Sequence, residues 1–206
     1  MKLHWSPRSP FVRTVMIAAH EVGVQDSLDC VRTVVSSFKA NDEIFVDNPL
    51  GKLPTLVLDD GTPVYDSRVI CEYFDTLHQG PRLVPVTYPK RLTTQRRAAL
   101  GNGALDLFVL WFVDILKPEG QRNADIIATN HAKAAAIFRA LEKEAPQLER
   151  DPFDMGHIMI GCALSYADFR MKFLEWRKDH KAIARWHDEK FLKRPSVVAN
   201  TVVDDL

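Results

Sequence analysis

Residues 48–56 read NPLGKLPTL. Two prolines and a glycine crowd into seven positions, and Pro54 then stands directly before the apolar run TLVL. Proline has no N–H for a ladder, so a proline at the mouth of a strand marks its first residue or an edge. Residues 55–58 therefore begin as a strand with a shaped entry. Asp59-Asp60-Gly61 follows, and an Asp-Gly step between apolar runs is a hairpin signal. The partner strand is 62–65, TPVY.

Upstream, residues 2–5 are a short strand ended by SPRSP. A helix starts at Pro10, whose missing N–H has no partner in a first turn anyway. Phe11, Val15, Ala18 and Val22 mark one face of it, and Gly23 is placed to stop it. Residues 26–34 read as a second strand, and 36–46 as helical or irregular. After the hairpin, Asp66 or Ser67 caps a helix with Val69, Ile70, Tyr73, Phe74 and Leu77 on one side. The order is strand, helix, strand, helix, hairpin, helix.

Residues 79–89, QGPRLVPVTYP, hold three prolines and a glycine and read as a linker. Strand signals then fade. Residues 90–117, 124–145, 165–178 and 181–193 are predicted helices. Trp111, Trp176 and Trp186 fall on apolar faces, as core packing requires. The fold class is thus α/β plus all-α: an N-terminal thioredoxin-like domain (1–78), a linker (79–89) and a C-terminal helical domain (90–206).

The chain resembles the glutathione transferase superfamily over nearly its whole length. Four stretches carry the resemblance: SPFVR at 9–13, NPLGKLPTL at 48–56, YDSRVICEYF at 65–74 and GCALSYADF at 161–169. It implies that glutathione is the cosubstrate. It also implies a cis peptide before Pro54, which turns the backbone of Leu53 toward the cysteinyl backbone of glutathione as an added strand. Ser67, with its N–H at a helix N-terminus, is implied to bind the γ-glutamyl carboxylate. Asp66 is implied to meet the γ-glutamyl ammonium, and Lys52 the glycyl carboxylate; Lys39 is a poorer candidate of the same kind.

The resemblance makes Ser9 the catalytic candidate, with Ser6 its rival. The thiolate is the nucleophile. At an ordinary thiol pKa of about 8.5, roughly 3% is thiolate at pH 7. Lowering that pKa by about two units takes roughly 2.7 kcal/mol of preferential stabilisation. A serine hydroxyl and a helix N-terminus supply donors of the right kind. Arg13, one turn on, reads as structural, pairing with a carboxylate; His4 and Trp5 stand at the strand end as packing or pocket lining. Ser165 and Asp168 have the spacing of a structural capping box, with Leu164 and Phe169 as its staple.

The implied reaction is thiolate attack on a small hydrophobic electrophile, with the helical domain lining the second pocket and a homodimer as the assembly. Two rivals remain: a partner-binding protein on the same fold, and a glutathione-dependent peroxidase or reductase. The absence of cysteine from 6–10 weighs against mixed-disulfide chemistry. Lys plus Arg and Asp plus Glu both number 27, so no net charge directs the chain to nucleic acid. Arg91, Arg96 and Arg97 read as a solvated face. Three scattered cysteines, no metal-ligand spacing, no signal-peptide pattern and no 18-residue apolar run lead to the expectation of a cytoplasmic, metal-free protein without a membrane span.

Overall fold

A computed structural model describes residues 1–205. The chain divides into two compact units, one of residues 1–86 with the segment from Pro195 onward, the other Thr87–Arg194.

In the first unit, β1 (Lys2–Trp5), α1 (Pro10–Val22), β2 (Asp29–Arg32), α2 (Asp42–Asp47), β3 (Thr55–Val57), β4 (Pro63–Val64) and α3 (Ser67–Phe74) follow in that order. The sheet runs β2-β1-β3-β4. β1 and β2 are parallel, with Trp5 opposite Arg32. β3 is antiparallel to β1, with His4 opposite Thr55, and to β4, with Leu56 opposite Val64. Leu3, Val15, Ile17, Leu56, Ile70 and Phe74 form its core at no measurable exposure. Gly23 ends α1 at φ 77°, a left-handed conformation that glycine adopts without the Cβ penalty. α2 begins at Asp42, later than the weak pattern over 36–46 indicated. Asn41 fixes that start by accepting from Glu43 N–H at 3.0 Å.

A further helix, α8 (Pro195–Val198), packs on α1 in the first unit. The expected helical domain of 90–206 therefore ends near 194. Arg13 is buried and donates from Nε to the Asn200 carbonyl at 2.8 Å.

The second unit holds α4 (Lys90–Ile115), α5 (Ala124–Arg150), α6 (Met155–Arg170) and α7 (Lys181–Trp186), the last continued by a π-helical turn at His187–Phe191. α4 packs along α6. It is long and apolar enough to cross a membrane by length and composition, a property that core helices share. Trp111, Trp176 and Trp186 are buried. The arginine group is not a solvated face throughout. Arg97 is 2% exposed and reaches Glu144 at 2.9 Å and Asp151 at 2.6 Å; Arg96 also pairs with Glu144.

α6 corrects the expected start at 165. The helix begins ten residues earlier, at Met155. Asp154 is its N-cap, accepting from His157 N–H at 3.1 Å, and His157 Nδ1 closes the box against Asp154 N–H at 3.2 Å. Ser165 and Asp168 thus lie inside the helix and cap nothing, and Leu164 and Phe169 staple no helix start. Their side chains point to other partners. Arg177 Nη2, which can only donate, faces His187 Nδ1 at 2.8 Å. The hydrogen of His187 is therefore on Nε2 and is donated to Ser165 Oγ at 2.9 Å. Asp168 accepts from Trp176 Nε1 at 2.9 Å and pairs with Arg177 at 2.7 Å.

Candidate functional site

β1 ends at Trp5, β3 starts at Thr55 and β4 ends at Val64. Because β3 is antiparallel to both neighbours, these three termini share one end of the sheet. The loop 6–9, the segment Lys52–Leu53–Pro54 and the pair Asp66–Ser67 all emerge there. Topology alone gathers the glutathione candidates of the first unit, which are far apart in sequence.

Ser9 is the N-cap of α1, in extended conformation, with Pro10 as the first helical residue. Its Oγ accepts from Val12 N–H at 3.2 Å, and its own N–H donates to the Ser6 carbonyl at 3.2 Å. A hydroxyl that accepts a cap hydrogen bond still has its proton to donate. Capping and thiolate donation are therefore compatible. Ser6 is 6% exposed, while Ser9 is half-buried.

The Leu53–Pro54 peptide is cis, as the resemblance implies. The preceding turn is fixed by Asn48, which the sequence reading passed over. Buried Asn48 donates from Nδ2 to Thr55 Oγ1 at 2.9 Å and to the Lys52 carbonyl at 3.2 Å, and its Oδ1 accepts from Leu50 N–H at 2.9 Å. Thr55 Oγ1 donates to the same Lys52 carbonyl at 2.9 Å. Asn–Pro at a turn is the signal that points to such a knot. Leu53 packs with Val12 and Ile44, and Trp5 lies against that cluster. The Lys52 side chain is exposed.

Tyr65–Asp66 is also cis. Asp66 caps α3 by accepting from Arg68 N–H at 3.0 Å, and its carboxylate pairs with the Arg68 guanidinium at 3.0 Å. Burial opposes its charged form, yet the Arg68 hydrogen bonds and charge hold the carboxyl below its usual range. Ser67, the first helical residue, is 2% exposed. α3 thus opens on one carboxylate and one hydroxyl at the sheet end.

His4 is not free to line a pocket. Its Nδ1 meets Thr33 Oγ1 at 2.8 Å and its Nε2 meets Asp47 at 2.7 Å, where Lys2 also arrives at 2.7 Å. Hydrogen bonds from Lys2 and His4 hold the Asp47 carboxyl low. This tie of α2 to β1 joins residues more than forty positions apart. Lys39 borders a cavity of about 140 Å³ lined by Val35, Ser36, Phe45, Leu50 and Gly51. Among the described residues no three His, Cys, Asp or Glu side chains gather as metal ligands.

A small four-stranded sheet flanked by helices, with its cis-proline and helix start at one end, followed by a helical unit, is the frame of the glutathione transferase superfamily. Family models for the glutathione S-transferase N-terminal domain match residues 8–77, and for the C-terminal domain residues 124–189. The chain belongs to the glutathione S-transferase family. A glutathione transferase family member from Pseudomonas fluorescens Pf-5, solved with bound glutathione, is similar at 35% identity with a TM-score of 0.94. The match covers 98% of this chain and 99% of that one. A structure from the same organism with bound S-(propanoic acid)-glutathione matches at 34% identity and a TM-score of 0.90, over 99% and 100% of the two chains. The uncharacterized GST-like protein YibF of Escherichia coli is 27% identical, over 93% of this chain and 94% of its own.

Proposed function

We propose that the protein is a glutathione transferase that activates the glutathione thiol for attack on a small electrophile. The observation that carries this reading is the convergence of Ser9, Leu53–Pro54 and Asp66–Ser67 at one sheet end. Glutathione bound in the similar Pseudomonas structure supports the ligand, and the S-(propanoic acid) conjugate bound in the second supports a conjugating reaction.

In this reading glutathione lies along the Leu53 backbone as an added strand. Its γ-glutamyl carboxylate meets Ser67 Oγ and the N–H groups opening α3. Asp66 takes the ammonium, and Lys52 the glycyl carboxylate. The sulfur then sits at Ser9, whose hydroxyl donates to the thiolate while the start of α1 adds dipolar stabilisation. Attack forms a carbon–sulfur bond. The leaving group departs with its electron pair, or an activated double bond takes a proton from water. Holding both reactants together supplies much of the rate. The protein works as a homodimer without a metal.

Calorimetric titration with glutathione tests the site. Ser67→Ala is expected to weaken binding at least about tenfold, or about 1.4 kcal/mol. Ser9→Ala is expected to leave affinity nearly intact and to raise the pKa of the bound thiol, read from its ultraviolet thiolate absorbance against pH. Absence of binding by the unmodified protein refutes the reading. An unmoved thiol pKa in Ser9→Ala transfers the donor role to Ser6 or a backbone amide.

A further inference from the structure

Two arginines at this sheet end have no place in the glutathione scheme. Arg8 immediately precedes Ser9 in the loop after β1. Arg32 ends β2, opposite Trp5 in the parallel register. Arg32 stands on the β2 side of β1 and Asp205 ties Arg8 to it, whereas Leu53 and Ser67 adjoin β3 and β4. The glutathione carboxylates are assigned to that other side.

One carboxylate occupies both arginines. Asp205 Oδ1 is 3.0 Å from Arg8 Nε, and its Oδ2 is 2.6 Å from Arg32 Nε. Asp204 stands 3.9 Å from Arg8. The segment 201–205 forms no helix or strand, and Val203 N–H reaches the Pro7 carbonyl only at 3.5 Å. The contact with Arg8 is one of charge without a formed hydrogen bond: Arg8 Nε is buried and has no hydrogen-bond partner. A buried donor left unmade is costly, and a guanidinium is best satisfied by a carboxylate approaching in the plane of its fork. Asp205 meets each arginine through a single nitrogen, Nε, and leaves Arg8 without that geometry.

We infer that Arg8 and Arg32 form a carboxylate-binding subsite beside the thiol, that Asp205 is its resident internal occupant, and that the second substrate is an electrophile bearing a carboxylate which displaces Asp205. This rests on the transferase reading above. Arg8 and Ser9 share the loop after β1, so in the transferase reading a carboxylate held at Arg8 lies at the same strand end as the thiolate. With an aryl chloride, the C–S bond forms, the C–Cl bond breaks and chloride leaves with the electron pair. The thiol proton has already passed to water. Binding of a neutral electrophile gains nothing from the pair.

The first measurement is calorimetry with 3,5-dinitrobenzoate, which has no leaving group, and its methyl ester. Asp205→Asn is expected to bind the carboxylate about tenfold tighter than the unmodified protein, because the competitor is gone. Adding Arg8→Gln to Asp205→Asn is expected to abolish that gain, and the ester is expected to discriminate among none of the three. Equal carboxylate affinity with and without Asp205, or a gain that survives Arg8→Gln, overturns the inference. So does a loss of melting temperature in Asp205→Asn with no carboxylate-selective gain, which assigns the aspartate a purely structural role. Turnover of 4-chloro-3,5-dinitrobenzoate relative to its methyl ester gives the second arm. The acid-to-ester ratio of kcat/KM is expected to rise in Asp205→Asn and fall in Arg8→Gln. Carboxylate binding that follows the expected pattern with no turnover of either compound upholds the subsite and refutes the transferase; turnover with an unchanged ratio does the reverse.

Discussion

The two units carry their information differently. The first is a thin sheet with helices whose every turn is punctuated: Pro10 opens α1, Gly23 closes it, Pro54 precedes β3 and Asp66 caps α3. The second is a stack of long helices in which α6 is buried without interruption from Met155 to Ala167. Punctuation fixes backbone at single residues and is local. A helix buried on all sides has no polar face, so its pattern has no period to detect. The chemistry proposed here sits in the punctuated unit, where loops converge at strand ends. The buried unit holds its shape through close approach between helices.

Glycine substitutions break that comparison most strongly. At Gly101 in α4, an added Cβ would come within 2.5 Å of the Met159 carbonyl carbon and 2.6 Å of Ile160 N. Both are backbone atoms of α6, so relief requires moving a helix. Gly101→Val is expected to cost more than about 3 kcal/mol, at the top of the range for overpacking. At Gly23 in the first unit nothing lies within 4 Å of an added Cβ. The cost there is the left-handed φ alone, about 1 kcal/mol in Gly23→Ala. Denaturant unfolding of both variants measures the contrast. Similar losses would show that backbone conformation, rather than helix approach, limits both units.

Next in size is Asp154→Ala. Asp154 caps α6, accepts from the Thr94 hydroxyl of α4 and contacts His157. Loss of the cap and stranding of buried partners together are expected to cost about 2–3 kcal/mol. The effect has a pH signature. Burial opposes the charged form, but His157 and Thr94 hold the Asp154 carboxyl below its ordinary range. A lowered native pKa means stability present above the unfolded carboxyl value of about 3.9 and lost as pH falls through the native one. The deficit of Asp154→Ala against the unmodified protein should therefore shrink below about pH 4. A deficit constant down to pH 2 would show that the carboxylate charge contributes nothing.

The same contrast explains what the sequence made legible. The bounds of β1, the start of β3 and the hairpin at Asp59-Asp60-Gly61 depend on one to three adjacent residues and were readable. The strand expected over 26–34 shrinks to Asp29–Arg32 behind a 3-10 turn at Gln25–Ser27, and of the two cap candidates Asp66 takes the role. Ser165 and Asp168 mimic a capping box in spacing, but their partners His187 and Arg177 lie 22 and 9 residues further on. No local pattern says which of two polar residues is already claimed. The true cap, Asp154 with His157, substitutes histidine for the usual Glu or Gln and so escapes the motif. At the candidate site, the cis peptide before Pro54 and the helix starts at Pro10 and Ser67 were legible, whereas Asn48, the His4–Asp47 tie and Asp205 were not. Their roles arise from pairings that only the folded chain makes.

The smallest effect tests the buried unit without disturbing its packing. Tyr166 lies within the buried run of α6, 6% exposed, and burial pushes its phenol up to about 12 against the opposing charge of Arg170. A raised native pKa contributes stability fully present below the unfolded value of about 10 and lost as pH rises through about 12. Tyr166→Phe keeps the ring and removes the ionisation. At pH 7 its stability should lie within about 0.5 kcal/mol of the unmodified protein. Between pH 10 and about 12 the unmodified protein should lose stability that the variant retains. Parallel alkaline limbs in the two proteins would mean that this phenol is as accessible to water folded as unfolded. The description of α6 as buried on all sides would then fail at Tyr166.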